Sequence, residues 1–221
     1  MIGRRQDETA QRESWRVASA LLRYPDEELL SALPSIREAV EQSKIPSRRE
    51  ITALIDKWQS QRSLELQEQY VTTFDLAKRC ALHVTWFQYG DQRQRGMVLL
   101  KLKRRYMEFD LMPLESELPD WLPLMLEFAA AAPSPEGVSL LQEWRAAIEL
   151  IRRALDEDDS PYLVLLDAIA ATLPKLGSNL REAVDRLIEE GPPGDEVGLE
   201  PYGPDNEIPA GFAPLAQGGA L

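Results

Sequence analysis

The sequence has little of what metal-dependent and nucleophilic enzymes are built from. Its 221 residues include one cysteine, Cys80, and one histidine, His83. A lone thiol excludes an intramolecular disulfide and a cysteine-built zinc site. Cys80 and His83 are close enough in sequence to face one another loosely, yet two such groups do not complete a structural zinc shell, and no second histidine supplies a catalytic partner. Basic excess is also missing: the formal charge is -12, the pI is about 4.7, and much of the acidic surplus follows Ala130. General nucleic-acid binding needs a concentrated basic surface and is disfavoured. Nowhere is there a run of roughly twenty apolar residues to span a bilayer, and MIGRRQDETAQRESW has no apolar signal core. Arg4 and Arg5 therefore read as a solvated terminus. Any membrane association is expected to be indirect and the location cytoplasmic.

What the chain does have is helical periodicity, with no run of strands to compete with it. Trp15, Ala18, Leu21 and Leu22 mark a first helix with Ser14 near its start, ending near Pro25. Leu29, Leu30, Leu33, Ile36 and Val40 mark a second region, bent or divided near Pro34. Ile51, Leu54, Ile55 and Trp58 form the stripe of a third. Beyond Pro133 and Pro135, one long helix is expected through Leu141, Trp144, Ile148, Ile151 and Leu155. Further segments carry Leu163, Leu166, Ile169 and Leu173, then Leu180, Val184, Leu187 and Ile188, with Gly191 as the stop. The expected architecture is all-α: a single-domain multi-helix bundle over residues 12–190. An irregular acidic tail rich in Pro and Gly follows over 191–221, with a short docked part around Val197 to Tyr202. Trp15 and Trp58 are expected in the core.

The middle of the chain breaks this pattern twice. QEQYVTTFD brings Tyr70 and Phe74 to a helix junction, where Asp75 is placed to cap the next helix. That helix would carry Leu76, Cys80, Val84 and Phe87 on one side, with His83 in a structural hydrogen bond. GDQRQRG follows. Gly90 permits a left-handed stop and Asp91 a new cap, opening a helix from Asp91 to about Phe109 that buries Leu99, Leu102, Tyr106 and Phe109. The Gly90 to Gly96 stretch lacks the Lys and Ser or Thr of a phosphate-binding loop. Arg93 and Arg95 either receive a carboxylate or phosphate, or fasten the Gly90 turn to Asp75 or Asp91. The basic run from Lys101 to Arg105 is suited to an acidic protein surface.

After a break at Pro113, Asp120 is placed to cap a short helix whose first turn tolerates Pro123. Trp121, Leu122, Leu124, Met125, Leu126 and Phe128 make it apolar over most of its circumference. Glu115, Glu117, Asp120 and Glu127 offer an acidic rim beside it. Two readings stand side by side: a surface that takes a basic, apolar peptide, or a capping aspartate with solvated glutamates. The first makes Glu115, Glu117, Asp120, Trp121, Leu124, Met125, Glu127 and Phe128 the client-contact candidates. No group of residues suggests catalysis.

These pieces, in this order, resemble the respiratory nitrate reductase delta-subunit family within the redox-enzyme maturation chaperones. The resemblance is carried by Tyr70, Val71, Phe74 and Asp75; by Gly90, Asp91, Arg93, Arg95 and Gly96; by Leu99, Leu102 and Tyr106; and by Glu117, Leu118, Pro119, Asp120, Leu122, Pro123, Leu126, Glu127 and Phe128. Two positions depart from the family pattern: Trp121 follows Asp120 where His is often found, and Asp110 follows Phe109 where Gly is common. The resemblance implies a cytoplasmic, all-helical chaperone. It would bind the immature catalytic (alpha) subunit of nitrate reductase, at its N-terminal region, and permit molybdenum-cofactor insertion while retaining no cofactor itself. The alternatives are a related chaperone for another molybdoenzyme with a twin-arginine signal, and a helical adaptor with no maturation role.

Overall fold

Helix α1 (Ile2–Leu21) packs chiefly against three later helices. The computed structural model describes residues 2–111 and 117–190; the breaks expected at Pro113 and Gly191, and the tail 191–221, lie outside the described residues. α1 starts well before the position expected near Ser14, which sits buried inside the helix. Its apolar side buries Trp15, Ala18 and Leu21. The Trp15 indole donates to Thr172 Oγ1 at 2.9 Å and Gln11 Nε2 donates to the Thr172 carbonyl at 2.6 Å, which ties α1 to the end of α10 (Leu163–Thr172).

Asp26 caps α2 (Glu27–Gln42) by accepting the Leu29 N–H at 2.8 Å, and the helix runs through Pro34 undivided. It pairs with α3 (Arg48–Ser60), whose stripe of Ile51, Leu54, Ile55 and Trp58 is buried as its spacing predicts. α4 (Ser63–Tyr70) passes into a π-helical turn at Val71–Leu76 and a 3-10 turn at Lys78–Cys80. Tyr70 and Phe74 are core residues here: their rings stand 5.0 Å apart, Phe74 lies 4.7 Å from Tyr162, and Tyr162 lies 5.4 Å from Trp58.

The helix expected through Leu76, Cys80, Val84 and Phe87 does not form. The π turn ends at Leu76, which is exposed, and Ala77 and Ala81 both leave helical backbone. Asp75 lies within the π turn and caps nothing. Cys80 faces the end of α9 (Arg145–Glu157), its thiol 3.9 Å from an Asp158 carboxylate oxygen. Burial, with the Asp158 charge, pushes that thiol up to about 11, so it is kept protonated at neutral pH.

A single turn, α5 (Trp86–Tyr89), stops at Gly90, whose φ of 49° is positive as glycine permits, while its ψ of -129° takes it out of the left-handed helical stop that the sequence anticipates. α6 (Arg93–Met107) is shorter at both ends than expected: Gln92, not Asp91, is the N-cap, and Asp110 turns the chain with a φ of 57°. Leu102 and Tyr106 are buried, while Leu99 and Phe109 are half-buried. α7 (Leu122–Ala131) buries seven of its ten residues. It crosses α8 (Glu136–Glu143) so closely that a Cβ on Gly137 would meet the Ala129 carbonyl oxygen at 2.2 Å.

The long helix expected beyond Pro135 is two, because Trp144 takes a non-helical conformation between α8 and α9. Its apolar stripe is buried all the same. Glu149, almost fully buried, accepts from Arg152 at 3.0 Å and Arg153 at 3.3 Å. Those arginines reach Asp167 of α10 and Asp185 of α11 (Ser178–Glu190), so one carboxylate links three helices. In α11, Val184 is buried and Ile188 is exposed. Among the described residues the only β pairing is an isolated bridge between His83 and Trp121, and the all-α expectation holds.

Candidate functional site

Pro119 begins the segment that shapes the site. Its carbonyl accepts the Tyr106 hydroxyl at 2.6 Å, which fastens the approach to α7 onto the end of α6. The Ser19 hydroxyl donates to the Pro123 carbonyl at 2.7 Å, and Arg12 Nη1 donates to the Ala130 carbonyl at 2.8 Å. These last two bonds hold both ends of α7 against α1. Pro123 near the helix start loses no intrahelical bond, as its position predicts.

Between these elements lies a cleft of about 470 Å³. Ser19 of α1 and Arg23, in the turn just past its end, line one side, and Tyr106, Asp110 and Leu111 line it from the end of α6 and the turn beyond. Glu117, Trp121, Pro123, Leu124, Glu127, Phe128 and Ala131 complete it around α7. Phe128 makes a rigid floor, with its ring 4.7 Å from Tyr106 and 5.8 Å from Phe109. Trp121 and Leu124 are half-buried and remain available to a ligand. Glu117 is half-buried, and Glu127 and Asp110 are exposed. The cleft is thus apolar at its base and carries three carboxylates against one guanidinium, Arg23.

Five of the sequence candidates, Glu117, Trp121, Leu124, Glu127 and Phe128, meet in this cleft. Met125 does not: it is fully buried and is absent from the cleft lining. Glu115 lies outside the described residues. Ser19, Arg23, Asp110, Leu111 and Ala131 were not picked out from sequence. For Ser19 a signal was there, a polar residue one turn after Trp15 beside an apolar stripe; for Asp110 it was the departure from glycine. Nothing local distinguishes Arg23.

Asp120 requires the largest correction. It is neither on an acidic rim nor a helix cap: it is fully buried, and Trp121 is the N-cap of α7. Its carboxylate lies 3.1 Å from His83 Nδ1, accepts the Thr85 hydroxyl and accepts Arg95 Nη2 at 3.1 Å. An ionised carboxylate only accepts, so this pairing places a proton on His83 Nδ1. Burial alone would raise the Asp120 carboxyl. The bonds from His83 and Thr85, with the charges of His83 and Arg95, outweigh it and hold the group below the usual carboxylate range.

The same network settles Arg95, whose Nε also donates to Thr85 Oγ1 at 3.0 Å and whose guanidinium lies 6.0 Å from the Trp86 ring centre. Its partner is Asp120, and neither Asp75 nor Asp91. Backbone bonds from Val84 N to the Asp120 carbonyl (3.0 Å) and from Leu122 N to the Leu82 carbonyl (2.8 Å) lock the two segments together. His83 therefore sits in a bridge and not in a helix, with the structural hydrogen bond its isolation suggested. Arg93 and Asp91 are exposed. A side chain on Gly96 would meet nothing within 4 Å, so packing does not demand glycine there.

No group of three or more His, Cys, Asp or Glu residues among the described residues is arranged to hold a metal ion. No described helix is long and apolar enough to cross a membrane.

Residues 26–167 match the family model described as "Nitrate reductase delta subunit". The chain is 37% identical over 174 residues to the probable nitrate reductase molybdenum cofactor assembly chaperone NarJ of Bacillus subtilis, covering 77% of this chain and 92% of that protein. It is 31% identical over 156 residues to nitrate reductase molybdenum cofactor assembly chaperone NarJ of Escherichia coli K12, covering 69% of this chain and 66% of that one. A third relative, the nitrate reductase-like protein NarX of Mycobacterium tuberculosis, is 31% identical over 74% of this chain, which spans only 24% of that longer protein.

Proposed function

We propose, from the premise that this chain belongs to the nitrate reductase delta-subunit family, that its cleft receives part of the immature nitrate reductase catalytic subunit. In this reading the chain is a dedicated assembly chaperone, acting in the cytoplasm on a client awaiting molybdenum cofactor. It performs no chemistry on the client. Residues 12–190 serve as the chaperone domain, with 191–221 as a tail.

The observation that carries the reading is the convergence of Glu117, Trp121, Leu124, Glu127 and Phe128 on one cleft. Half-buried Trp121 and Leu124 offer apolar contact that a ligand desolvates, and the surrounding carboxylates favour cationic side chains. A basic and apolar peptide segment, taken here as the N-terminal region of the catalytic subunit, fits that chemistry. Phosphate-bearing molybdenum cofactor fits it less well, because Asp110, Glu117 and Glu127 oppose an anion and Arg23 alone would attract it. The cofactor is therefore cargo for the client and is not retained by the chaperone. Preferential affinity for the unloaded client conformation holds it open until insertion is complete.

The test is capture of the client by the full chain. Trp121→Ala and Leu124→Ser, each checked for cooperative unfolding, are expected to weaken binding of a labelled client N-terminal peptide by roughly 10- to 100-fold. Normal binding by both folded variants would overturn the cleft assignment. Copurification of immature nitrate reductase in preference to other molybdoenzymes is expected, and the reverse preference would overturn the client assignment.

A further inference from the structure

Helix α6 carries a second surface that the cleft does not use. Arg93, Met97, Leu100, Arg104 and Met107 recur at three- and four-residue spacing, so they form one stripe on the side opposite Leu102 and Tyr106. Met97 is 61% exposed, Leu100 37% and Met107 50%. Lys101 and Lys103 flank the stripe and are exposed. Arg95 and Arg105 of the same helix are neutralised, by Asp120 and by Glu136 and Glu143. Arg93, Lys101, Lys103 and Arg104 have no ion pair among the described residues. This is a concentration of unpaired positive charge, interleaved with large apolar side chains, on a chain of net charge -12.

Such a stripe fits an acidic segment with apolar residues set between its charges. The chain contains one. Asp195, Glu196, Glu200, Asp205 and Glu207 are interspersed with Val197, Leu199, Tyr202, Ile208 and Phe212, and no Lys or Arg follows Arg186.

We propose that residues 195–212 of this chain dock on the exposed Arg93–Met107 face of α6. Reach does not limit the contact: an extended chain covers roughly 3.3 Å per residue, against a radius of gyration of about 16 Å for a domain of this size. Tethering also gives the segment an effective concentration on the order of millimolar, so weak intrinsic affinity suffices. A symmetric contact between two copies of α6 would bring like charges together. An anionic bilayer would have to accept the remainder of a strongly acidic protein. The segment in cis meets neither cost, and its docking covers a stripe that would otherwise attract unrelated acidic surfaces. This inference stands apart from the cleft and survives if the client binds elsewhere.

The experiment couples carboxylates to lysines in the full chain with a zero-length carbodiimide reagent at low protein concentration and low salt, followed by peptide mapping. The expected result is linkage of Lys101 or Lys103 to Glu196, Glu200, Asp205 or Glu207 within one chain. It should be lost near 1 M salt, where the screening length falls to about 3 Å, and lowered in M97S/L100S, which retains both lysines. Circular dichroism verifies that this surface variant is folded. Absence of the linkage, linkage confined to pairs of chains, or linkage indifferent to M97S/L100S would each overturn the proposal. So would flotation of the full chain with phosphatidylserine vesicles through the same stripe, abolished by M97S/L100S, since the occupant would then be lipid.

Discussion

Arg95 and Asp120, 25 residues apart in the chain, meet at 3.1 Å where the aspartate is wholly withdrawn from solvent. Their contact, reinforced by His83 and Thr85, locks the segment before α7 and thereby sets the position of Trp121 at the cleft. A carboxylate that looked suited to steering a ligand is instead part of the frame.

Asp120→Asn should destabilise the protein by about 3 to 5 kcal/mol, because the half-buried Arg95 charge loses a fully buried counter-ion and His83 and Thr85 lose a charged acceptor. Urea unfolding would measure this. A loss under about 1 kcal/mol would mean that solvent or another group replaces the carboxylate with little penalty.

The same pair predicts an acid dependence of stability. The Asp120 carboxyl is held below its ordinary range in the folded state, so its contribution is fully present above the unfolded value of about 3.9 and is lost as pH falls through the lower folded value. Glu149 acts in the same direction: burial opposes its ionisation, but bonds from Arg152 and Arg153 and the charges of Arg152 and Arg145 prevail. Urea midpoints should therefore decline steeply below about pH 4. Asp120→Asn should flatten that decline, and an unchanged slope would remove Asp120 as a cause.

Leu102→Ala should cost roughly 2 to 5 kcal/mol, since Leu102 is buried on the packed side of α6 beside Tyr106. Equilibrium unfolding decides: a cost below about 0.5 kcal/mol would indicate that the site collapses around the deletion.

At the cleft, Asp110, Glu117 and Glu127 replace the set that included Asp120 as the groups that steer a basic peptide. D110N/E117Q/E127Q should slow association mainly at low salt, with the difference shrinking as ionic strength rises. Stopped-flow rates that match the parent protein at every salt concentration would assign these carboxylates to solvent alone.

Periodicity and composition alone determined the all-α class, the buried stripes of α1 and α3, the turn at Gly90 and the buried face of α6. Each is a local matter: helical spacing puts Ile51, Leu54, Ile55 and Trp58 on one side of α3 whatever surrounds it. The order of the Tyr70, Gly90 and Pro119 motifs likewise carries the family resemblance in the sequence itself. Tertiary structure decided what those motifs touch. A carboxylate beside a helix start has the same local pattern whether it caps, faces solvent or is buried, and only the arrival of His83, Thr85 and Arg95 made Asp120 internal. The split at Trp144 and the π turn after Tyr70 were hidden for a related reason, since the apolar spacing stayed helical while packing changed the backbone beneath it. The cleft joins Ser19 of α1 and Arg23 in the turn after it to residues around α7. No window of sequence contains both walls, so their juxtaposition had to come from the fold.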